Sequence, residues 1–340
     1  GNLDQAIKIF AAVMDNKAYP GKIRDLGRLA LARAEIVREK NNPEQAEEET
    51  RAQPQEEEAP HTAGTAEERL LAFIGGKSES SLLMDAFNIL LEEDIFRTNP
   101  QALEKLTGWV NARDAGRQPA AMYAMGSLLL AKDDLAGAVK MAEDGLSKYP
   151  QSLPVQTLSL NTITTLLDKN RVEDAERLIS KYPGTSPGLV FQQGALAFRK
   201  GDYPLAQSLF REAARRASEK TAESALFNEN LAALNANDAA GAAALVKEAA
   251  GSAQLREHIL FEQAHYAAKR MNPQAPELLA SFVALATDPA LKTQARLDQA
   301  EVALNLNPPD LETVQAILPP LEKEQLTPEQ TMQLARLNIL

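Results

Sequence analysis

The chain contains no cysteine. That excludes disulfides, thiolate catalysis and cysteine-bound zinc or iron–sulfur centres. Histidine is scarce, with three residues, and aromatics make up 5% of the 340 positions with a single tryptophan. No run of about 18 apolar residues occurs, and no basic segment precedes an apolar one at the N-terminus. Neither a spanning helix nor a signal peptide is therefore expected in this polypeptide. No long basic run is present either, and the formal net charge is −11. Nucleic acid is excluded as the main partner, because neutralising phosphates needs an excess of Lys and Arg on at least one face.

What is present is ordinary for a folded protein in bulk terms, with 44% hydrophobic and 24% charged residues. Ala and Leu dominate, which favours helices packed through small residues over sheets. A chain of this length holds either one extended repeat array or two or more compact domains, so internal repeats are the first question.

Four stretches answer it: "GNLDQAIKIF" (1–10), "KDDLAGAVKMAEDGLSKYP" (132–150), "KNRVEDAERLISKYP" (169–183) and "RKGDYPLAQSLFREAARRA" (199–217). Each has a polar or Gly-containing turn, one apolar residue (Leu3, Leu135, Val172, Tyr203), then an Ala three residues later (Ala6, Ala138, Ala175, Ala206). Weaker copies follow at "NDAAGAAALV", "NPQAPELLASF" and "PPDLETVQAIL". Aligning Ala138, Ala175, Ala206, Ala242, Ala275 and Val314 gives spacings of 37, 31, 36, 33 and 39 residues, scattered about a period near 34. Ahead of each turn, "AAMYAMGSLLLAK", "SLNTITTLLDK", "GLVFQQGALAFRK" and "ALFNENLAALNAN" carry apolar residues at helical spacing with a small residue midway. Two antiparallel helices per unit follow from the short turns. In the second helix Ala206 allows close approach to the first, and Phe210 and Ala213, four and seven residues on, continue its buried stripe.

These positions resemble the tetratricopeptide repeat (TPR) family. Gly194, Gly201, Tyr203, Ala206, Phe210 and Ala213 match its pattern in one unit, and Gly126, Leu129, Ala138 and Pro150 in another. Ala142 stands where a large residue is usual, and Tyr182-Pro183 ends its helix early. The resemblance implies an all-α fold, a right-handed superhelix (α-solenoid) of stacked antiparallel helix pairs. The organisation expected is a partial repeat over 1–40, an acidic disordered linker or inserted loop over 41–65, degenerate helical repeats over 66–116 and a TPR-like array over 117–340. Within 66–116, Asn99 before Pro100 reads as an N-cap and Trp109 as core. "TPEQTMQLARLNIL" opens with Thr327 as N-cap and Pro328 at the first helical position. The start without Met and the apolar residues continuing to Leu340 read as cuts through an array.

The resemblance also implies a function. In such stacks the first helix of each pair lines a concave groove, and the alignment assigns to that lining Tyr123, Leu160, Phe191, Phe198, Phe227 and Leu231, with Leu130, Leu167 and Leu234 divided between lining and interhelix core. One TPR subclass holds a partner's C-terminal carboxylates through K-x-x-G-N-x-x-F; here Phe191 and Ala195 occupy the Lys and Asn places, so an apolar or helical segment is the expected ligand. The expectation is a non-catalytic scaffold for a protein partner, or for another subunit of itself, within a larger assembly. Similarity to TPR regions of bacterial envelope proteins favours the periplasm or a membrane-associated assembly over the cytoplasm. The alternative is a regulatory or substrate-recognition arm of an enzyme whose catalytic domain lies outside this chain.

Enzyme chemistry finds little to hold. "GGKS" at 75–78 matches only the end of a phosphate-binding loop, because Leu71 stands where its first Gly is required. A turn between helices is the reading adopted. His258 and His265, seven apart, share roughly one helix face, but metal pairs on a helix use four-residue spacing with a third ligand nearby. No catalytic residue, metal or cofactor is assigned.

The stretch 41–65, "NNPEQAEEETRAQPQEEEAPHTAGT", has seven Glu, one Arg, three Pro and no large apolar residue. Its Glu47–Glu49 and Glu56–Glu58 runs suit a solvated, self-repelling linker, with attraction of a basic partner or a divalent cation as the other reading. His61 is expected to be exposed to solvent there. Such a stretch buries too little apolar surface to offset its ordering entropy. Limited proteolysis is expected to cut first near Arg51 and leave the flanking helices intact; protection at that site would instead mean a docked segment.

Overall fold

The computed structural model describes residues 3–41, 64–76 and 80–338. Among these residues there are nineteen α-helices, one 3-10 turn (Ala249–Gly251) and no strand. The fold is all-α, with antiparallel helix pairs packed one on the next within each of two units. Two compact units divide the chain, Gly1–Gly184 and Thr185–Leu340. The division follows Tyr182 and Pro183, which end a helix at Lys181, inside the stretch that reads from the sequence as a single array.

The first unit contains α1 (Leu3–Asp15), α2 (Gly21–Asn41), α3 (Ala66–Gly76), α4 (Ser80–Glu92), α5 (Ile95–Thr98), α6 (Pro100–Asn111), α7 (Gln118–Ala131), α8 (Leu135–Lys148), α9 (Leu153–Asp168) and α10 (Val172–Lys181). Asn41 is the last residue of α2. Thr65 caps α3 through reciprocal bonds with Glu68, at 3.0 and 3.2 Å. The expected linker between them, residues 42–63 with Arg51 and His61, lies outside the described residues, as do Lys77 and Ser78. Gly75 and Gly76 form the end of α3.

One continuous core runs from α2 to α7 around Ile36, Leu70, Phe87, Phe96, Leu106 and Leu128. Each such side chain, fully buried, contributes roughly 1.5–3 kcal/mol. Trp109 packs at its margin, edge-on to Phe87 at 5.7 Å between centroids and with the Arg117 guanidinium 6.0 Å over its ring. Asn99 caps α6 as its sequence implies, accepting from the amides of Gln101 and Ala102.

The second unit contains α11 (Pro187–Arg199), α12 (Tyr203–Arg216), α13 (Glu219–Asn235), α14 (Ala239–Glu248), α15 (Ala253–Lys269), α16 (Ala275–Leu285), α17 (Pro289–Leu304), α18 (Leu311–Leu321) and α19 (Pro328–Leu337). Thr327 caps α19 in a full capping box with Gln330, one bond more than the Thr-Pro pattern alone foretells.

A turn not legible in the alanine alignment recurs between the helices of a pair. Asp133, Asn170, Gly201, Asn237 and Met271 all have positive φ, between 51° and 78°, at spacings of 37, 31, 36 and 34 residues. In each case the next amide bonds back five residues, as Asp134 to Leu129 at 2.9 Å and Asp202 to Ala197 at 2.9 Å, closing the first helix with a Schellman turn. After three of these turns an Asp starts the second helix, Asp134, Asp202 and Asp238, as Asp310 does for α18, each accepting from the amide three residues on; Arg171 and Gln274 hold that place after the other two turns without a side-chain cap. Ala138, Ala175, Ala206 and Ala242 are consequently the fourth residues of their helices and are buried. The fifth unit departs. Met271 lies four residues before Ala275, not five, and Ala275 is buried at the first position of α16, so the sequence alignment there is offset by one relative to the turn.

The small residues are where helices come closest. A Cβ added at Gly126 would lie 2.3 Å from Leu158, and one at Gly194 2.9 Å from the ring of Phe210, which is itself 1% exposed. Gly194→Ala is expected to destabilise by about 1 kcal/mol net, an overpacking cost of about 1–3 kcal/mol exceeding the ~1 kcal/mol gain in helix propensity. Gly108→Ala, in α6 with nothing within 4 Å of the added carbon, should stabilise instead. Paired urea melts read both signs. Met271, 47% exposed, lacks the side-chain polarity that lets Asp and Asn tolerate its φ of 51°. Met271→Gly should raise stability by up to about 1 kcal/mol in the same assay; a loss would show that Met271 is held by packing.

Candidate partner-binding faces

In each unit the first helices of successive pairs lie against one another: α7 on α9 in residues 1–184, and α11, α13, α15, α17 and α19 in sequence in residues 185–340. This layer carries the residues that the TPR resemblance assigns to a groove.

In the first unit Tyr123 on α7 and Leu160 on α9 are half-buried. Burial raises the Tyr123 hydroxyl above its ordinary range, against a hydrogen bond with Ser127 that works the other way. Leu130 is half-buried at the end of α7, whereas Leu167, 3% exposed, is interior. It falls in the last turn of α9, where the chain folds back through the Arg171 amide bonded to the Leu166 carbonyl at 2.7 Å.

In the second unit Phe191, Phe198, Phe227, Leu231 and Leu234 are all half-buried. Phe191 stands edge-on to Phe210 at 5.3 Å and Phe198 to Tyr203 at 5.2 Å, both packed on one cluster with Ala197, Ala206 and Ala232. Phe227 belongs to another cluster, over Leu245, Ala249 and Ile259, and meets the His258 ring at 6.5 Å. Each aromatic therefore has one side engaged by the interior and another at the surface. Leu231 is one helical turn beyond Phe227, and Phe198 two turns beyond Phe191.

What sequence reasoning missed is a line of polar contacts between first helices of the second unit. Gln263 on α15 donates to Asn230 on α13 at 2.9 Å. His265 on α15 meets Asp298 on α17 through Nδ1 at 2.5 Å. Gln333 on α19 donates to Glu301 at 2.7 Å and reaches Asp298 at 3.4 Å. The partners are 33, 33, 32 and 35 residues apart, so the repeat period was the available signal, although the residue types do not repeat. Glu229, with no exposed surface, pairs with Arg211 across α12 and α13. Burial raises its pKa, opposed by the hydrogen bond from Arg211.

His258 and His265 do not converge on one ligand position. The His258 ring contacts the carbonyl of Gln254 on its own helix at 2.8 Å, and that of His265 contacts Asp298. Among the described residues no three His, Asp or Glu side chains are grouped to hold a metal ion, and no helix is long and apolar enough to cross a membrane. In the first unit a cavity of about 330 Å³ between α1, α2 and α3, lined by Met14, Leu29, Leu70 and Phe73, touches none of the six groove candidates.

No family model matches the chain, and no curated protein matches it closely. Among solved structures it is similar to the TPR domain of P58(IPK), at 12% identity and a TM-score of 0.27, over 100% of this chain and 93% of that one. A likeness that loose carries no weight; the TPR-like character rests on the helix pairs, their near-34-residue period and the buried small residues where they meet.

Proposed function

We propose that the chain is a non-catalytic interaction scaffold that holds an apolar or helical segment of a protein partner against the first-helix layer. The observation that carries this reading is the half-buried set Phe191, Phe198, Phe227 and Leu231 on the neighbouring helices α11 and α13. Aromatic and aliphatic side chains anchored on one side by the interior are rigid contact points that cost little entropy to fix on binding. Tyr123 and Leu160 offer a second such pair in residues 1–184. The scaffold belongs to a larger assembly, and a cell-envelope setting rests on the resemblance to TPR regions of bacterial envelope proteins.

Affinity capture with the whole chain, followed by mapping of the bound segment, identifies the partner. Central aromatic anchors commonly contribute about 2 kcal/mol or more each, so Phe191→Ala should weaken binding roughly 30-fold, mainly through faster dissociation. Leu231→Ala should act in the same direction. Leu205→Ala, on the second helix α12 and 48% exposed, should leave affinity unchanged. Circular dichroism distinguishes the outcomes: lost helicity in Phe191→Ala would make that ring a core residue, and unchanged affinity in both folded variants would remove the face from consideration.

A further inference from the structure

We infer that the contact between His265 and Asp298 is a pH-dependent fastener joining the first helices α15, α17 and α19, closed while the imidazole carries its second proton and loosened when that proton leaves. The inference is independent of the scaffold reading.

Asp298 is 1% exposed. Its hydrogen bonds come from three side chains: His265 at 2.5 Å, Gln294 at 3.0 Å and Gln333 at 3.4 Å. The two amides are neutral at every pH, so of these three only the imidazole brings a compensating positive charge to a carboxylate removed from water. A buried charge left without such compensation is costly. The ring is fixed for this contact, stacked on Phe261 at 5.4 Å and 20°, and Phe261 is held in turn by Phe282 of α16 at 5.5 Å. Gln294 also donates to Gln333 at 2.9 Å, so the residues around Asp298 tie α17 to α19 as well as to α15.

The surrounding charges point the same way. On α15, Glu262 adds a second carboxylate that favours the imidazolium, and Lys269 opposes it. On α17 and α19, Glu301, Glu329 and Arg336 line the adjoining cavity of about 380 Å³ together with Lys269 and Gln333. From α13 neutral Asn230 accepts the hydrogen bond of Gln263 beside this site, and α16 packs on it with Ala275, Leu279 and Phe282. The His265 pKa is raised, first by the hydrogen bond to Asp298 and then by the charges of Asp298 and Glu262, against burial and Lys269. A histidine with a folded-state pKa above its unfolded value of about 6.5 contributes stability that is fully present below 6.5. That stability is lost as pH rises through the folded value. Each unit of elevation corresponds to a tenfold loss in the folded-to-unfolded ratio.

The test is urea unfolding of the whole chain between pH 6 and pH 9, with His265→Gln, His258→Gln and Asp298→Asn as variants. The wild-type midpoint should fall across this window, His258→Gln should follow it, and His265→Gln, which keeps a donor but never a charge, should be flatter. Hydrogen exchange, corrected for intrinsic rates, should place the alkaline loss in α15, α17 and α19. The His265 ring resonance should titrate above 6.5 in the wild type and nearer 6.5 in Asp298→Asn, a readout that stands even if one variant folds poorly. Parallel pH dependences for wild type and His265→Gln, or a His265 titration at or below 6.5, would overturn the inference. No partner is involved in any of these measurements, so a failure here leaves the binding face unjudged, and the reverse holds as well.

Discussion

Close approach of helices through small residues is the constraint on which the rest of the fold depends. With few aromatics, the chain builds its interior by letting backbones come near one another. Gly126 admits Leu158 and Gly194 admits the Phe210 ring, while Ala138, Ala175 and Ala206 bury fully at the start of their helices. Large side chains then fill defined spaces between pairs, as Phe210 does. The half-buried aromatics of α11 and α13 are a product of the same geometry, since a ring braced by a neighbour so close to the surface has one side left over.

The repeat was legible because helical periodicity is a local property. Ala206, Phe210 and Ala213 are four and three residues apart, and any such stripe announces a buried face. Asn99-Pro100 and Thr327-Pro328 announced helix starts for an equally local reason, the need to satisfy first-turn amides. The intervening turn showed only as polar or Gly-containing; which of its residues takes the left-handed conformation was hidden, because that requirement is a backbone dihedral angle that several residue types can meet. Asp133, Asn170, Gly201 and Asn237 are of the types that tolerate a positive φ, while Met271 shares the angle without that chemistry.

The candidate faces were readable only to the level of the helix that carries each residue. Leu160 and Leu167 are seven apart and occupy one stripe, yet the first is half-buried and the second interior. Their difference arises from the fold-back over the end of α9, which a helical wheel does not contain. In the same way, the bracing of Phe191 by Phe210 and of Phe227 by the α14–α15 cluster comes from contacts between separate helices. The polar line from Asn230 to Gln333 needs partners 32 to 35 residues away and of unlike type, so no single window of sequence displays it.

The Schellman turn, followed by an Asp cap at Asp134, Asp202 and Asp238, separates the length of a repeat from its packing. Because the turn closes on hydrogen bonds within about five residues, it restarts the phase of the next helix at Asp133, Asn170, Gly201 and Asn237, each with a buried alanine five residues on. Repeats of 31 and 37 residues thereby place the same alanine in the same pocket. Between Leu304 and Leu311 the connection is longer: the Asp310 amide returns to Ala303, seven residues back, where its counterpart Asp238 returns to Ala233, five back. Val314 nonetheless arrives buried at the fourth position of α18. Errors in spacing therefore do not accumulate along the chain. A lineage of such proteins can gain or lose residues at these joints, or duplicate a whole pair, while every other pair keeps its register.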